Sequence, residues 1–213
     1  MGAALIVGVL LGVAGQPDPT DTPRSPGMPD EKRDALARYG SAVWNLRRER
    51  LLTAVRQLEA AVQADPDAAE PRRELARLYA QLGRDLEAIR TARKVLDKHP
   101  ADYETALLLA KLLADAGELE DAVSAAKLAT ESPALGERPD RAVRALRELA
   151  ALSEKAGAIP TAEAALRKAI EFVTDKRAEV VKAGAFTPKD ADLAAAECLE
   201  RLGHVLVKAS KPA

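Results

Sequence analysis

Two histidines, His99 and His204, and a single cysteine, Cys198, are the side chains able to exchange a proton or act as a nucleophile near neutral pH. A histidine does acid–base work when a partner group orients it, and a thiol attacks as its thiolate. The local sequence builds neither arrangement. His99 directly precedes Pro100 and reads as a helix-end residue at the negative pole of the helix dipole, not as a base or a ligand. Cys198 stands among the helix formers Ala194, Ala195, Ala196 and Leu199, and reads as a buried structural thiol. One cysteine excludes an internal disulfide and any cysteine-based metal cluster. No glycine-rich phosphate loop, H-E-x-x-H helix, Cys–His cluster or nucleophile elbow occurs. No catalytic residue, cofactor or metal is therefore expected, and the chain does not read as an enzyme.

The remaining chemistry is charge. Lysine and arginine number 32 against 33 acidic residues, a formal net charge of −1. A nucleic-acid binder needs a basic excess to neutralise phosphates, so nucleic acid is not an expected partner. The charges interleave along helical faces, as on ordinary solvated surfaces. Within that mixture Arg73 and Arg77 lie four apart, Lys111 follows Arg77 by 34 residues, and Arg144 and Arg147 lie three apart further on. Residues three or four apart share one face of a helix.

The elements that must position these residues are helices. The chain is rich in Ala, Leu, Glu, Arg and Lys, whose side chains lose little rotamer freedom in a helix, and aromatics are only 3%. The segment 69–82 places Leu75, Ala76, Leu78, Tyr79 and Leu82 at helical spacing, and Gly83 stops it. The segment 85–98 places Leu86, Ala88, Ile89, Ala92, Val95 and Leu96 likewise, with Pro100 just beyond. Glycine after one helix and proline after the next punctuate a helical hairpin. The unit returns as helix 103–116, Gly117, helix 119–130 and Pro133; Gly83 and Gly117 are 34 apart, as are Pro66 and Pro100.

A 34-residue helix–turn–helix unit with this pattern resembles the tetratricopeptide repeat. In the best unit Leu75-Ala76 take the Leu-Gly pair, Tyr79 the aromatic slot, Ala88 the small slot, Ala92 the usual Phe slot, and Pro100 closes it. The next unit reads Leu109-Ala110, Leu113, Gly117, Ala122, Ala126 and Ala129 in the same order. A further one gives Leu149-Ala150, Gly157, Ala162, Leu166 and Ala169 after an insertion around 134–140, with Pro160 near the start of its second helix. Upstream, Ala42, Ala54, Leu58, Ala61 and Pro66 keep their places. Arg38, Ser41 and Asn45 depart there, and Tyr39 and Trp44 are expected to fill that first interface. Downstream, the second helix of the fourth unit is expected to run through roughly Lys182, before a break at Gly184–Pro188. Leu199, Leu202-Gly203 and Leu206 then match the first helix of a fifth unit, and Ser210-Lys211-Pro212 resembles the turn after it.

The resemblance implies an all-α, right-handed helix–turn–helix solenoid over residues 31–213, about four repeats and the first helix of a fifth. It also implies a non-catalytic binding module whose first helices line a concave groove. By that register the groove includes Arg73, Arg77, Lys111, Arg144 and Arg147, a basic line able to receive an acidic peptide segment or a chain terminus, with Glu74, Glu104, Asp115 and Glu148 interrupting it. His204 faces the same side. Chaperone-binding members of the family carry a carboxylate clamp of Lys, Asn, Asn, Lys and Arg. Tyr39, Val43, Glu74, Glu104 and Leu108 stand at the matching positions, so that mode is not expected.

The N-terminus carries a different signal. Residues 3–15, AALIVGVLLGVAG, are an apolar run too short for an untilted span but suited to a signal-peptide core. Val13-Ala14-Gly15 offers a small-residue cleavage site, although no Lys or Arg precedes the run. Residues 1–15 thus read as a signal peptide or short anchor, the only stretch suited to a membrane tether. Residues 16–30, with five prolines, read as a stiff solvated linker whose Asp30 caps the first helix. The expectation is an exported scaffold, periplasmic, extracellular or tethered facing outward. Translation from Met28 is the cytoplasmic alternative. A second functional reading makes the chain the N-terminal portion of a larger exported protein, tethering or regulating a catalytic domain.

Overall fold

The computed structural model of the chain describes residues 28–184 and 186–210. The expected signal segment and most of the linker lie outside the described residues. Every regular element among the described residues is helical. Four antiparallel hairpins follow one another: α1 (Asp30–Leu46) with α2 (Leu51–Ala64), α3 (Ala69–Gln81) with α4 (Asp85–Lys98), α5 (Tyr103–Asp115) with α6 (Leu119–Thr130), and α7 (Pro139–Lys155) with α8 (Ile159–Thr174). A short α9 (Arg177–Lys182) leads to the long α10 (Pro188–Ala209). None of these helices is long and apolar enough to cross a membrane.

All four hairpins turn in the same way. At Gly83, Gly117 and Gly157 the backbone enters the left-handed region, with φ of 68°, 83° and 73°. The next amide then donates to the carbonyl five residues back: Arg84 to Tyr79 at 2.9 Å, Glu118 to Leu113 at 2.8 Å and Ala158 to Ser153 at 2.8 Å. This closure satisfies carbonyls left free at the helix end. The first hairpin makes the same bond, Arg50 to Asn45 at 3.0 Å, but the residue in the left-handed region is Glu49, with φ of 58°. Glu49 lies 34 residues before Gly83, so the repeat geometry is kept where its usual residue is missing.

Close packing rests on small residues. Ala42, Ala76, Ala110 and Ala150 on the first helices, and Ala54, Ala88, Ala122 and Ala162 on the second, are all fully buried. Small side chains let two helices approach, and Leu58, Tyr79, Leu113 and Leu166 fill the space beside them. Helices pack mainly against their neighbours in sequence, and α10 lies against α8 in the place of a next first helix. One continuous core runs from Ala42 to Val205.

Trp44 does not fill the first interface: it is 49% exposed, with the Arg48 guanidinium 4.1 Å above its ring. The buried face of α1 is set by Ala35, Ala42 and Asn45, and Trp44 lies about 200° around the helix from Ala42. Asn45 is buried instead, its amide donating to the Ser41 carbonyl at 2.8 Å, while Tyr39 is partly buried against the core. Leu86 points outward for the reason that applies to Trp44, standing two residues before the buried Ala88. The second helix of the fourth unit stops at Thr174, and Asp175-Lys176 break it. The bend lets α9 bury Val180 against Val143, Val173 and Phe186, while Arg177 reaches Asp192 on α10 at 2.7 Å. Asp30 is the first residue of α1 and makes no cap; it pairs with Arg33. Pro160 is, as expected, at the start of α8.

Candidate peptide groove

The first helices α3, α5, α7 and α10 stand side by side, and ion pairs lace each to the next. Arg73 on α3 pairs with Asp102, whose nearly buried carboxylate also caps α5 by accepting from the Thr105 amide at 3.2 Å. One turn on, Arg77 pairs with Glu74 at 2.7 Å and with Glu104 on α5. Arg141 on α7 reaches Glu104 from the other side at 2.6 Å and contacts the Tyr103 hydroxyl. Glu104 is thus bracketed by guanidinium groups from two repeats. Between α7 and α10, Arg147 pairs with Glu197, and Arg201 reaches Glu154 at 2.6 Å.

Of the five basic residues expected in the groove, three are engaged within the protein: Arg73, Arg77 and Arg147. Lys111 and Arg144 are exposed and make no ion pair among the described residues. The acidic residues read as interruptions of a basic line are therefore its partners in part, Glu74 and Glu104 above all. Asp102, Tyr103, Arg141, Glu154 and Glu197 were not legible as site residues. Asp102 could have been found from its D-x-x-T cap spacing, whereas the insertion before α7 hides the register of Arg141.

An open hollow of about 640 Å³ lies where α3, α5 and α7 begin, lined by Arg73, His99, Asp102, Tyr103, Glu104 and Arg141. The Tyr103 hydroxyl is raised above its ordinary pKa, by burial first; Arg141 opposes that rise and Glu104 adds to it. Tyr39 at the first unit is raised likewise, again by burial and then by Glu74 and Glu70. Such a surface can recognise charge and donate hydrogen bonds.

The side chains capable of covalent chemistry are not assembled there. His99 ends α4 at the rim, as expected of a helix-end residue, and His204 is exposed on α10. Cys198 is 1% exposed, and burial pushes its thiol above the ordinary range, the reverse of an activated nucleophile. Among the described residues no group of three potential ligands could hold a metal ion.

No protein-family model matches the sequence, and no curated protein matches it. Solved structures do. The chain is similar to a crystal structure of MamA, with 16% identity over 83% of this chain and 92% of that one and a TM-score of 0.57. It is similar to MamA from Desulfovibrio magneticus RS-1, residue 41 to the end, at 18% identity over 87% and 100%, TM-score 0.56. It is also similar to YrrB, described as a TPR protein with an unusual peptide-binding site, at 20% identity over 71% and 75%, TM-score 0.54. At these identities the likeness is one of fold, and the fold is the tetratricopeptide-repeat solenoid.

Proposed function

We propose that this chain is a non-catalytic interaction module that binds an acidic segment of a partner protein along the face lined by α3, α5 and α7. The observation that supports it most is the pair Lys111 and Arg144, exposed cations without an acidic partner among the described residues, on a face where the neighbouring arginines are engaged. A ligand carboxylate can meet these two directly. It can also displace Glu104 from Arg77 or Arg141, since half-exposed ion pairs hold each other weakly. Salt should weaken such binding.

The test is capture of partners from native host extract on immobilised chain, with Lys111→Glu plus Arg144→Glu as comparison. Reversing two contacting charges should lower affinity at least tenfold, about 1.4 kcal/mol, and adding Arg77→Glu should lower it further. Partners held equally by all three proteins would move the site off this face.

Export is the second part of the proposal. The apolar run of residues 3–15 and its small-residue end support cleavage near Gly15, so protein from the envelope should begin near Gln16. An intact Met1 chain in membranes would make the run an anchor, and a cytosolic chain beginning at Met28 would remove export.

A further inference from the structure

The turn of the first hairpin differs in charge from the other three. Residues 46–52 hold three arginines against one glutamate, whereas the matching residues 114–120 hold three acids and no base. Residues 80–86 and 154–160 each hold one charge of either sign. The three arginines, Arg47, Arg48 and Arg50, are exposed and make no ion pair among the described residues, while Arg84 in the second turn pairs with Glu87 at 2.8 Å. In a chain of net charge −1 this tip is a local positive pole.

The tip is also edged with apolar side chains. Trp44 lies two residues before the end of α1, and Leu52, 69% exposed, is the second residue of α2. The Arg48 and Arg50 guanidiniums lie 4.1 Å and 5.7 Å from the centre of the indole ring. A guanidinium stacked by its face keeps its N–H donors in plane and able to meet an oxyanion. Trp44 stands about 200° around α1 from Ala42, and Leu52 as far around α2 from Ala54, the buried alanines at which small side chains let the helices approach. The two apolar groups therefore flank the tip on opposite sides, each within one helical turn, about 5.4 Å, of its end.

A rigid partner, whether a nucleic-acid duplex or a folded protein, meets one flank of a projecting tip. A membrane interface receives both flanks, because a tip that enters it is surrounded by headgroups. Interfacial segments bury their apolar groups roughly 5–10 Å into the headgroup boundary, which is the depth this geometry offers. Tryptophan is a residue of that boundary, and basic side chains beside it select anionic lipid.

We propose that the α1–α2 turn docks on a membrane surface that contains anionic lipid, with Trp44 and Leu52 entering the interface and Arg47, Arg48 and Arg50 pairing with lipid phosphates. Residues 16–29 join this same hairpin to the apolar run of residues 3–15, so a retained run and the basic tip would grip one membrane together, as stable anchoring requires two signals. The turn is separate from the face proposed for acidic ligands, so either can hold without the other.

Trp44 is the only tryptophan in the sequence, so its fluorescence reads the contact directly. The full chain is titrated with vesicles of phosphatidylcholine alone and of equal parts phosphatidylcholine and phosphatidylglycerol, and bound protein is measured by co-sedimentation. The mixed vesicles should shift Trp44 emission to the blue and hold the chain roughly tenfold or more tightly than neutral ones, a preference that high salt should remove. Arg47→Glu plus Arg50→Glu should abolish the preference while leaving helicity unchanged. Arg47→Gln plus Arg50→Gln should weaken it, which keeps the test valid should the reversed charges disturb the turn. Equal binding to both vesicle types would overturn the proposal, since residues 3–15 would then be the whole contact. Binding to mixed vesicles with unchanged Trp44 emission would overturn it too, by placing the contact elsewhere. So would a blue shift produced by a DNA duplex or by polyglutamate but not by vesicles, in favour of nucleic acid or an acidic protein.

Discussion

Replacing Glu49 by glycine should stabilise the protein. Glu49 is the only non-glycine residue with positive φ among the described residues, and it holds the turn that Gly83, Gly117 and Gly157 hold in the other hairpins. An L-residue pays roughly 1–2 kcal/mol in the left-handed region because its Cβ crowds the following carbonyl. Glycine avoids that cost but loses more freedom on folding, roughly 0.5–1 kcal/mol. The difference leaves a net gain of about 0.5–1 kcal/mol. The glutamate side chain is exposed and makes no ion pair among the described residues, so its removal forfeits no contact. For a chain of this size 1 kcal/mol moves the midpoint by about 2–4 °C, and thermal melts followed by circular dichroism resolve that. Gly83→Ala and Gly117→Ala are the mirror experiment. Open space surrounds both positions, so their loss, about 1 kcal/mol each, is a backbone effect alone. A lower melting temperature for Glu49→Gly would refute this reasoning. So would an equal rise for Glu49→Ala, since alanine keeps the Cβ and removes only the rest of the side chain.

Ala88→Leu and Ala122→Leu should each destabilise by roughly 1–3 kcal/mol in urea melts, since both sit fully buried at close helix crossings. Ser153→Ala should be stabilising by about 1 kcal/mol in the same assay, because its buried hydroxyl has no hydrogen-bond partner. The raised pKa of Cys198 makes the folded state hold the thiol proton longer than the unfolded chain does. Its contribution is thus complete below the ordinary thiol pKa of about 8.5 and is lost as pH rises through the folded value. The stability gap between wild type and Cys198→Ala should narrow accordingly in alkaline urea melts, and a gap that widens would contradict the assignment.

Periodicity and punctuation made the repeat legible, because a left-handed glycine and a closing proline are demands of the backbone that no distant contact can alter. The same reasoning misses Glu49, where repeat geometry overrides residue preference, and Trp44, whose size suggested burial though its angular position on α1 faces solvent. Legibility of the groove stopped at the register of its arginines. Whether Arg77 is free depends on how far Glu104 stands on the next helix, and spacing within one helix does not contain that distance. Asp175-Lys176 could not be foreseen as a break, since nothing in those residues forbids a helix. The bend follows from what α9 then buries.

Because the helices of this solenoid pack mainly against those next to them in sequence, assembling the molecule requires almost no long loop to be closed. Such low contact order places it among fast folders, in contrast to sheets that must wait for distant strands. Growth can proceed in chain order, α1 with α2 first, each new hairpin finding its docking surface already finished by the one before. A chain threaded end-first out of a ribosome or a translocation channel can therefore become structured as it emerges, with only the leading edge of the stack exposed at any moment.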